Sequence, residues 1–135
     1  MKRIILLSMV LVCCLTAALA QSANGKKQAE IKFDKTTHNF GTFSESSPKV
    51  SCEFTYTNVG EAPLIINQAV ASCGCAVPEY TKAPVQPGQK GKIKVTYNGT
   101  GKFPGHFKKS ITIRTNGAVE MTRLYIEGDM EAAKK

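Results

Sequence analysis

The sequence contains no tryptophan, and only 7% of its residues are aromatic. Its 11 glycines and 6 prolines follow no repeat, which excludes a collagen-like chain and a low-complexity linker. After residue 20, no apolar stretch is long enough to span a bilayer. Hydrophobic residues still make up 42% of the chain. We therefore expect a folded domain, and 135 residues provide the length of one domain rather than two.

The first 20 residues have the three-part pattern of a secretory signal. Lys2 and Arg3 precede an apolar run at 4–15, and small residues follow at 18–20. This order predicts a signal peptide at 1–20, with cleavage after Ala20. An uncleaved anchor helix is the alternative, although such helices need about 20 apolar residues. We expect a periplasmic or secreted protein with no transmembrane segment after cleavage.

Acidic residues are scarce, with 10 Asp and Glu against 18 Lys and Arg, and the formal net charge is +8. Removal of the signal peptide would leave 16 basic side chains and a charge of about +6. A basic patch could bind acidic polysaccharide, lipid phosphates or nucleic acid. The alternation around Lys92 and Lys94 instead indicates a solvated strand face, and export argues against a nucleic-acid partner. The basic residues that cluster in the second half are Lys90, Lys92, Lys94, Lys102, Lys108, Lys109 and Arg114.

From residue 30 onward, apolar residues alternate with polar ones, and no window has the helical spacing i, i+3, i+4, i+7. The clearest case is the set Val50, Cys52, Phe54 and Tyr56, which should share one face of a strand. The whole pattern predicts an all-β fold, an immunoglobulin-like antiparallel β-sandwich of about seven strands. We expect a flexible linker at 21–29, the domain at 30–129 and a charged C-terminal tail at 130–135.

Three local features refine this prediction. The alternation breaks near Asn67, which indicates a β-bulge. Residues 72–88 contain several prolines and are predicted as loop, and the strands at 50–58 and 64–71 are predicted to form a hairpin. Asn116 and Gly117 form the dipeptide typical of a two-residue type I′ hairpin turn.

Three stretches taken together resemble a known family. They are His-Asn-Phe-Gly-Thr-Phe at 38–43, Phe-Thr-Tyr-Thr-Asn-Val-Gly-Glu-Ala-Pro-Leu-Ile-Ile at 54–66, and Ser-Cys-Gly-Cys-Ala-Val-Pro at 72–78. The chain resembles the bacterial domain of unknown function 1573, which is related to the immunoglobulin-like superfamily of major sperm protein and the periplasmic pilus chaperones. The resemblance implies a seven-stranded sandwich, export, and a binding or structural role. It implies no active site, and Cys52 is not part of the family pattern.

Cysteine is the most chemically suggestive residue type in the sequence. Signal cleavage would leave Cys52, Cys73 and Cys75, an odd number that keeps at least one thiol out of any intramolecular disulfide. The pairings 52–73, 52–75 and 73–75 all remain open, and the predicted hairpin makes 52–73 geometrically conceivable. Cys73 and Cys75 could alternatively bind a soft metal ion, copper or zinc, but a metal site needs further ligands. No other cofactor is indicated.

Catalytic motifs are not apparent. His38 and His106 lie beside turns without an interpretable Ser, Cys or carboxylate partner, and residues 99–102 do not complete a phosphate-binding loop. We predict a non-enzyme, an exported module of the bacterial envelope that binds another protein or an envelope component. The alternative is a soft-metal-binding or redox-sensitive protein that uses Cys73 and Cys75.

Overall fold

The computed structural model describes residues 27–134, which form eight β-strands and no helix. The strands are β1 (Ile31–Phe33), β2 (Thr37–Ser44), β3 (Lys49–Asn58), β4 (Ile66–Ala71), β5 (Ala76–Tyr80), β6 (Lys90–Asn98), β7 (Gly105–Thr115) and β8 (Met121–Glu131). They build two four-stranded sheets, β1-β3-β6-β5 and β2-β8-β7-β4. The prediction of an all-β sandwich is confirmed, but the sandwich is not wholly antiparallel as predicted, because edge strand β2 pairs with β8 in parallel. The predicted signal peptide lies outside the described residues, and within them no helix could cross a membrane.

The core lies between the two sheets and follows from the alternation in the sequence. One sheet contributes Phe54 from β3 and Ile93 from β6, and the other contributes Ile113 from β7 and Leu124 from β8, all fully buried. Each such side chain stabilises the fold by about 1.5–3 kcal/mol through removal of apolar surface from water. The polar residues between them point outward, which gives each central strand one wet face.

Strands β7 and β8 form a long hairpin, but not through the predicted turn. The chain leaves β7 at Thr115 and enters β8 at Met121, so five residues connect the strands. A type I′ turn would need a positive φ at Asn116, and no non-glycine residue in the described part has one. The type I′ prediction was therefore wrong. Asn116 instead forms hydrogen bonds with Pro63 and Ile65, which lie before β4.

The predicted hairpin of β3 with β4 is also wrong. β3 pairs with β1 and β6, whereas β4 pairs only with β7 in the other sheet. The turn residues after Asn58 carry the chain from one sheet to the other instead of reversing it within a sheet. The bulge predicted near Asn67 is confirmed, since the register with β7 shifts between Ile66 and Gln68.

One strand was missed in the segment predicted as loop. β5 contains Pro78, which argues against a central strand because proline lacks an amide hydrogen. β5 avoids this conflict by lying at the edge of its sheet, where it pairs with β6 alone.

The ends of the domain reach slightly beyond the expected boundaries. Ala29 is only 2% exposed, and its carbonyl accepts a hydrogen bond from the Ala118 amide. At the other end, β8 continues to Glu131 and buries Met130.

Candidate functional site

Strand β4 lies between two crossovers, at which the chain passes between the sheets. Residues 58–65, here called the Asn58 corner, carry the chain from β3 in the first sheet to β4 in the second. Residues 72–75, here called the cysteine crossover, carry it back to β5 in the first sheet. β4 and β5 are therefore edge strands on the same side of the sandwich.

The Asn58 corner is organised around one buried side chain. Asn58 is fully buried, and its amide nitrogen donates to the carbonyls of Ala62 at 2.7 Å and Val85 at 2.9 Å. Its side-chain oxygen accepts from the amides of Gly60 at 3.0 Å and Glu30 at 3.3 Å. A buried amide side chain is stable only when such partners are present. Asn58 thus ties four backbone positions together.

Two further residues fix the Asn58 corner. A β-carbon on Gly60 would collide with the backbone of Gln28 and Glu30, so only glycine fits there. Asn116 accepts from the Ile65 amide at 2.8 Å and donates to the Pro63 carbonyl at 3.0 Å. Asn58, Gly60 and Asn116 therefore serve the fold at this corner.

The cysteine crossover is held at both ends by the sheets. The Ser72 amide donates to the Ser110 carbonyl on β7, and the Cys75 carbonyl accepts from the Asn98 amide on β6, both at 2.8 Å. A disulfide joins Cys73 to Cys75, whose Cα atoms are 5.2 Å apart. Of the three pairings left open by the sequence, the structure contains 73–75.

Strand β6 separates Cys52 on β3 from β5, the strand that follows this bridge, and Cys52 remains a thiol. It lies on β3, in the sheet opposite to β4, which removes the geometry that made a 52–73 bridge conceivable. Its side chain is 8% exposed, and burial raises the pKa of the thiol from 9.0 to about 11, with a smaller opposing effect of Lys35. Cys52 is therefore a protonated core residue at neutral pH.

The copper or zinc site considered for Cys73 and Cys75 gains no further ligands from the fold. Among residues 27–134, no three His, Cys, Asp or Glu side chains come together to hold a metal ion. His38 lies on β2 and packs against Phe40, and His106 on β7 lies 3.0 Å from Asp129. A metal at the cysteine crossover would thus depend on two thiolates that exist only after reduction.

The free side of β4 presents unpaired backbone groups. The Ser72–Ser110 hydrogen bond fixes the ladder, so that Val70 and Gln68 also bond to β7 while Ala69 and Ala71 turn their amides and carbonyls outward. None of these four outward groups takes part in a backbone bond within the described residues. This row, here called the β4 edge, is a template for another strand.

The other three edge strands, β1, β2 and β5, each have a feature that hinders the addition of another strand. β1 has only three residues. β2 is interrupted by a register shift between Asn39 and Thr42, where the Asn39 side chain bonds the amide of Gly41 at 2.7 Å. β5 has Pro78 at a position that would otherwise offer an outward amide. β4 also has a register shift, between Ile66 and Gln68, but the stretch after it carries no proline and no charged residue, so the β4 edge is the least protected of the four.

The segment around the β4 edge also lacks charge. Residues 62–78 contain no Asp, Glu, Lys or Arg, although 21% of the chain is charged. Proteins commonly place lysine on exposed edges to prevent strand addition, and this edge has none. The outward side chains include Val70, 48% exposed, and Val77, 52% exposed. We missed this segment in the sequence, although the uncharged run is visible there.

A cleft of about 320 Å³ lies next to the cysteine crossover. It is lined by Gly74, Cys75, Asn98, Thr100 and Lys102. The loop that provides Lys102 continues into Phe103, which is 95% exposed. An aromatic side chain so exposed is available to a binding partner.

The lysines of the second half do not form one patch. Lys90, Lys92 and Lys94 lie on β6 in the first sheet, whereas Lys108 and Lys109 lie on β7 in the second. Lys92 is 3.3 Å from Glu53, and Lys94 stands in register between Glu53 and Glu79. As predicted, Lys92 and Lys94 are exposed on a wet strand face.

Residues 31–130 match the model of a family described as "Protein of unknown function (DUF1573)". No curated protein matches the sequence.

Several solved structures share the fold. A protein of unknown function from Porphyromonas gingivalis has a TM-score of 0.65 at 13% identity, over 76% of this chain and 47% of that one. The ASH/PapD-like domain 7 of human CEP192 has a TM-score of 0.64 at 8% identity, over 88% and 97%. The periplasmic chaperone SfaE has a TM-score of 0.55 at 11% identity, over 76% and 57%. This chain thus spans about half the length of the first and third proteins.

Proposed function

The chain belongs to the DUF1573 family, and from that premise we propose that it is an exported, non-enzymatic module that binds another protein of the cell envelope. The partner contributes an extended segment, which adds to the β4 edge as a new strand. Backbone hydrogen bonds supply much of the affinity in such strand addition, and alternate side chains supply specificity.

The observation that carries this proposal is the unprotected β4 edge. Its free groups belong to Ala69 and Ala71, whose small side chains leave room beside the sandwich for the side chains of an added strand. The partner segment should be uncharged, since a charge opposite residues 66–71 would find no counterion there.

The similar structures support a protein-binding role without identifying the partner. One is a periplasmic chaperone, and another is a PapD-like domain of a human protein. The charged, apolar and small residues at 1–20 support export.

Position-specific photo-crosslinking in the native host tests the proposal. A crosslinking residue at Gln68 or Val70, on the outer face of β4, should give one discrete adduct, identified by mass spectrometry. The same residue at Thr37, exposed on the outer face of β2, provides the matched control. Adducts at both β4 positions but not at Thr37 support the proposal. No adduct from β4, or equal adducts from both strands, would contradict it.

A pair of charge variants tests the same edge without a crosslinker. Gln68→Lys/Val70→Lys places two lysines on β4 and should abolish recovery of the identified partner. Thr37→Lys/Thr42→Lys adds the same charge to β2 and should leave recovery unchanged.

A further inference from the structure

We infer that the Cys73–Cys75 disulfide is a site of reversible thiol–disulfide exchange that controls the order of the β4 edge. The exchange itself is independent of any partner, and only its biological consequence rests on the proposed function. The inference stands on the size of the disulfide ring, its exposure and the cleft beside it.

The disulfide contributes little to global stability because it joins residues only two apart in sequence. The entropy that a disulfide removes from the unfolded chain grows with the length of the loop it closes, so such a short ring stabilises the fold far less than a long one. The ends of the cysteine crossover are already held by Ser72 on β7 and Cys75 on β6. We therefore expect the domain to stay folded without this bond and the effect of the bond to be local.

The disulfide is accessible to an attacking thiolate from one side. Cys73 is partly exposed, whereas Cys75 is only 9% exposed. Gly74 between them is exposed, and nothing lies within 4 Å of the position where its β-carbon would be. The sulfur of Cys73 is thus the more accessible target, and Cys75 is the leaving group.

The cleft beside Cys75 has a lining that favours Cys75 as the leaving thiolate. Cys75 and Lys102 line the same cleft, together with the polar side chains of Asn98 and Thr100. An ammonium group lining the same cleft favours a thiolate as the leaving group, and such stabilisation accelerates exchange. Asn98 is held by the Thr100 hydroxyl at 2.6 Å, so this wall of the cleft is ordered.

The chemistry balances with a dithiol as the reductant. Its first thiolate attacks the sulfur of Cys73, the bond between the cysteines breaks, and Cys75 takes the electron pair as a thiolate. The second thiol of the reductant then displaces Cys73, so the reductant leaves as a disulfide and the protein holds two thiols. The reverse reaction with an oxidised dithiol restores the bond.

Reduction removes the covalent link in the segment that follows β4. The three residues from Cys73 to Cys75 then regain backbone freedom, and we expect the adjacent Ala71 and Ser72 to fray from β7. The oxidised form therefore presents an ordered β4 edge and the reduced form a frayed one.

Redox titration combined with hydrogen exchange tests the inference. The purified protein is equilibrated with mixtures of reduced and oxidised dithiothreitol, and free thiols are counted by alkylation and intact mass. We expect Cys73 and Cys75 to open and close reversibly together. We expect exchange of the Ser72 amide, and of the Ser110 amide that bonds to Ser72, to rise at least tenfold on reduction while exchange in β3 and β8 stays unchanged. Cooperative unfolding on reduction, or unchanged exchange at Ser72, would overturn the inference.

Two lysine variants separate the cleft from general charge effects. Lys102→Gln should slow reduction by dithiothreitol about threefold to tenfold, because the leaving thiolate loses its cationic neighbour. Lys108→Gln, on β7 in the other sheet, should leave the rate unchanged. Equal reduction rates for Lys102→Gln and the parent protein would show that Lys102 in the cleft does not accelerate the exchange. Because no partner is present in these assays, their outcome is independent of the proposed function.

Discussion

The two crossovers that flank β4 connect the same two sheets by opposite means. The Asn58 corner uses a fully buried side chain with four hydrogen bonds and a glycine that no other residue can replace. The cysteine crossover uses a disulfide at an exposed edge, and its central Gly74 faces open space. Both crossovers belong to the stretches that resemble the family. Only in the Asn58 corner are the polar groups of the motif all bonded within the domain.

This difference separates structural from functional parts of the chain. A residue whose polar atoms are all satisfied inside the domain has none left for a ligand. The cysteine crossover, the β4 edge and the neighbouring cleft retain free backbone groups and exposed side chains. We therefore assign stability to the Asn58 corner and interaction to the side of the domain formed by β4 and β5.

The largest effect should come from Asn58→Ala. Its loss leaves the part-buried backbone groups of Glu30, Gly60 and Ala62 without a partner, whereas the Val85 carbonyl keeps its bond from the Leu64 amide. Each unpaired group costs about 1–3 kcal/mol. We expect a loss of about 3 kcal/mol or more, measured by urea denaturation. Asn67→Ala on the exposed side of β4 is the matched control and should change stability by less than about 0.5 kcal/mol. Similar losses of unfolding free energy for Asn58→Ala and Asn67→Ala would show that the buried Asn58 contributes no more to stability than an exposed residue.

The glycines of the two crossovers offer a second comparison. Gly60→Ala should destabilise the domain by about 2–3 kcal/mol, because its methyl group would displace the backbone of Gln28 and Glu30. Gly74→Ala should fall within about 0.5 kcal/mol of the parent protein, since its methyl group meets open space. Thermal denaturation of the two variants compares them directly. A large loss for Gly74→Ala would show that the fold depends on the cysteine crossover.

Alkaline pH should weaken the core through the buried thiol. Burial raises the pKa of Cys52 to about 11, so between about pH 9 and 11 the unfolded chain releases a proton that the folded chain retains. The stability from this residue is fully present below pH 9 and is lost as the pH rises toward 11, by at most about 2.7 kcal/mol. Burial also raises the pKa of Tyr56 and Tyr97, which acts in the same direction.

Denaturation of the parent protein and Cys52→Ala across pH 8–11 measures the contribution of the thiol. The variant should show the shallower fall in stability with pH. Parallel curves would mean that the thiol is not desolvated.

The smallest effect should come from Cys73→Ser/Cys75→Ser. Loss of the short ring should cost at most about 1.6 kcal/mol of global stability. The variant should therefore remain folded, with a circular dichroism spectrum close to that of the parent protein. An unfolded double variant would show that the disulfide supports the whole fold and would weaken its assignment as an exchange site.

Much of the fold was predictable because alternation reports which face of a strand is buried. The burial of Phe54 and Ile93 follows directly from that pattern. Alternation carries no information on which strands pair, so β3 and β4 were wrongly joined. Pro78 concealed β5, because proline is a poor strand former except at an edge, and edge positions become visible only once the sheet is assembled.

The candidate site was less predictable than the fold. The three cysteines were recognised, but their pairing depends on which sheet holds Cys52, a long-range property. The β4 edge required the hydrogen-bond register that turns Ala69 and Ala71 outward. The uncharged run at 62–78 was the one local signal of this edge.

Amide hydrogen exchange at the β4 edge tests the central claim most directly. In the free, oxidised protein the amides of Ala69 and Ala71 should exchange fast, while the amide of Val70, bonded to β7, exchanges slowly. Addition of the partner identified by crosslinking should protect Ala69 and Ala71 at least tenfold and leave Thr37 on β2 unchanged. If partner binding leaves Ala69 and Ala71 unprotected, the β4 edge is not where this protein binds.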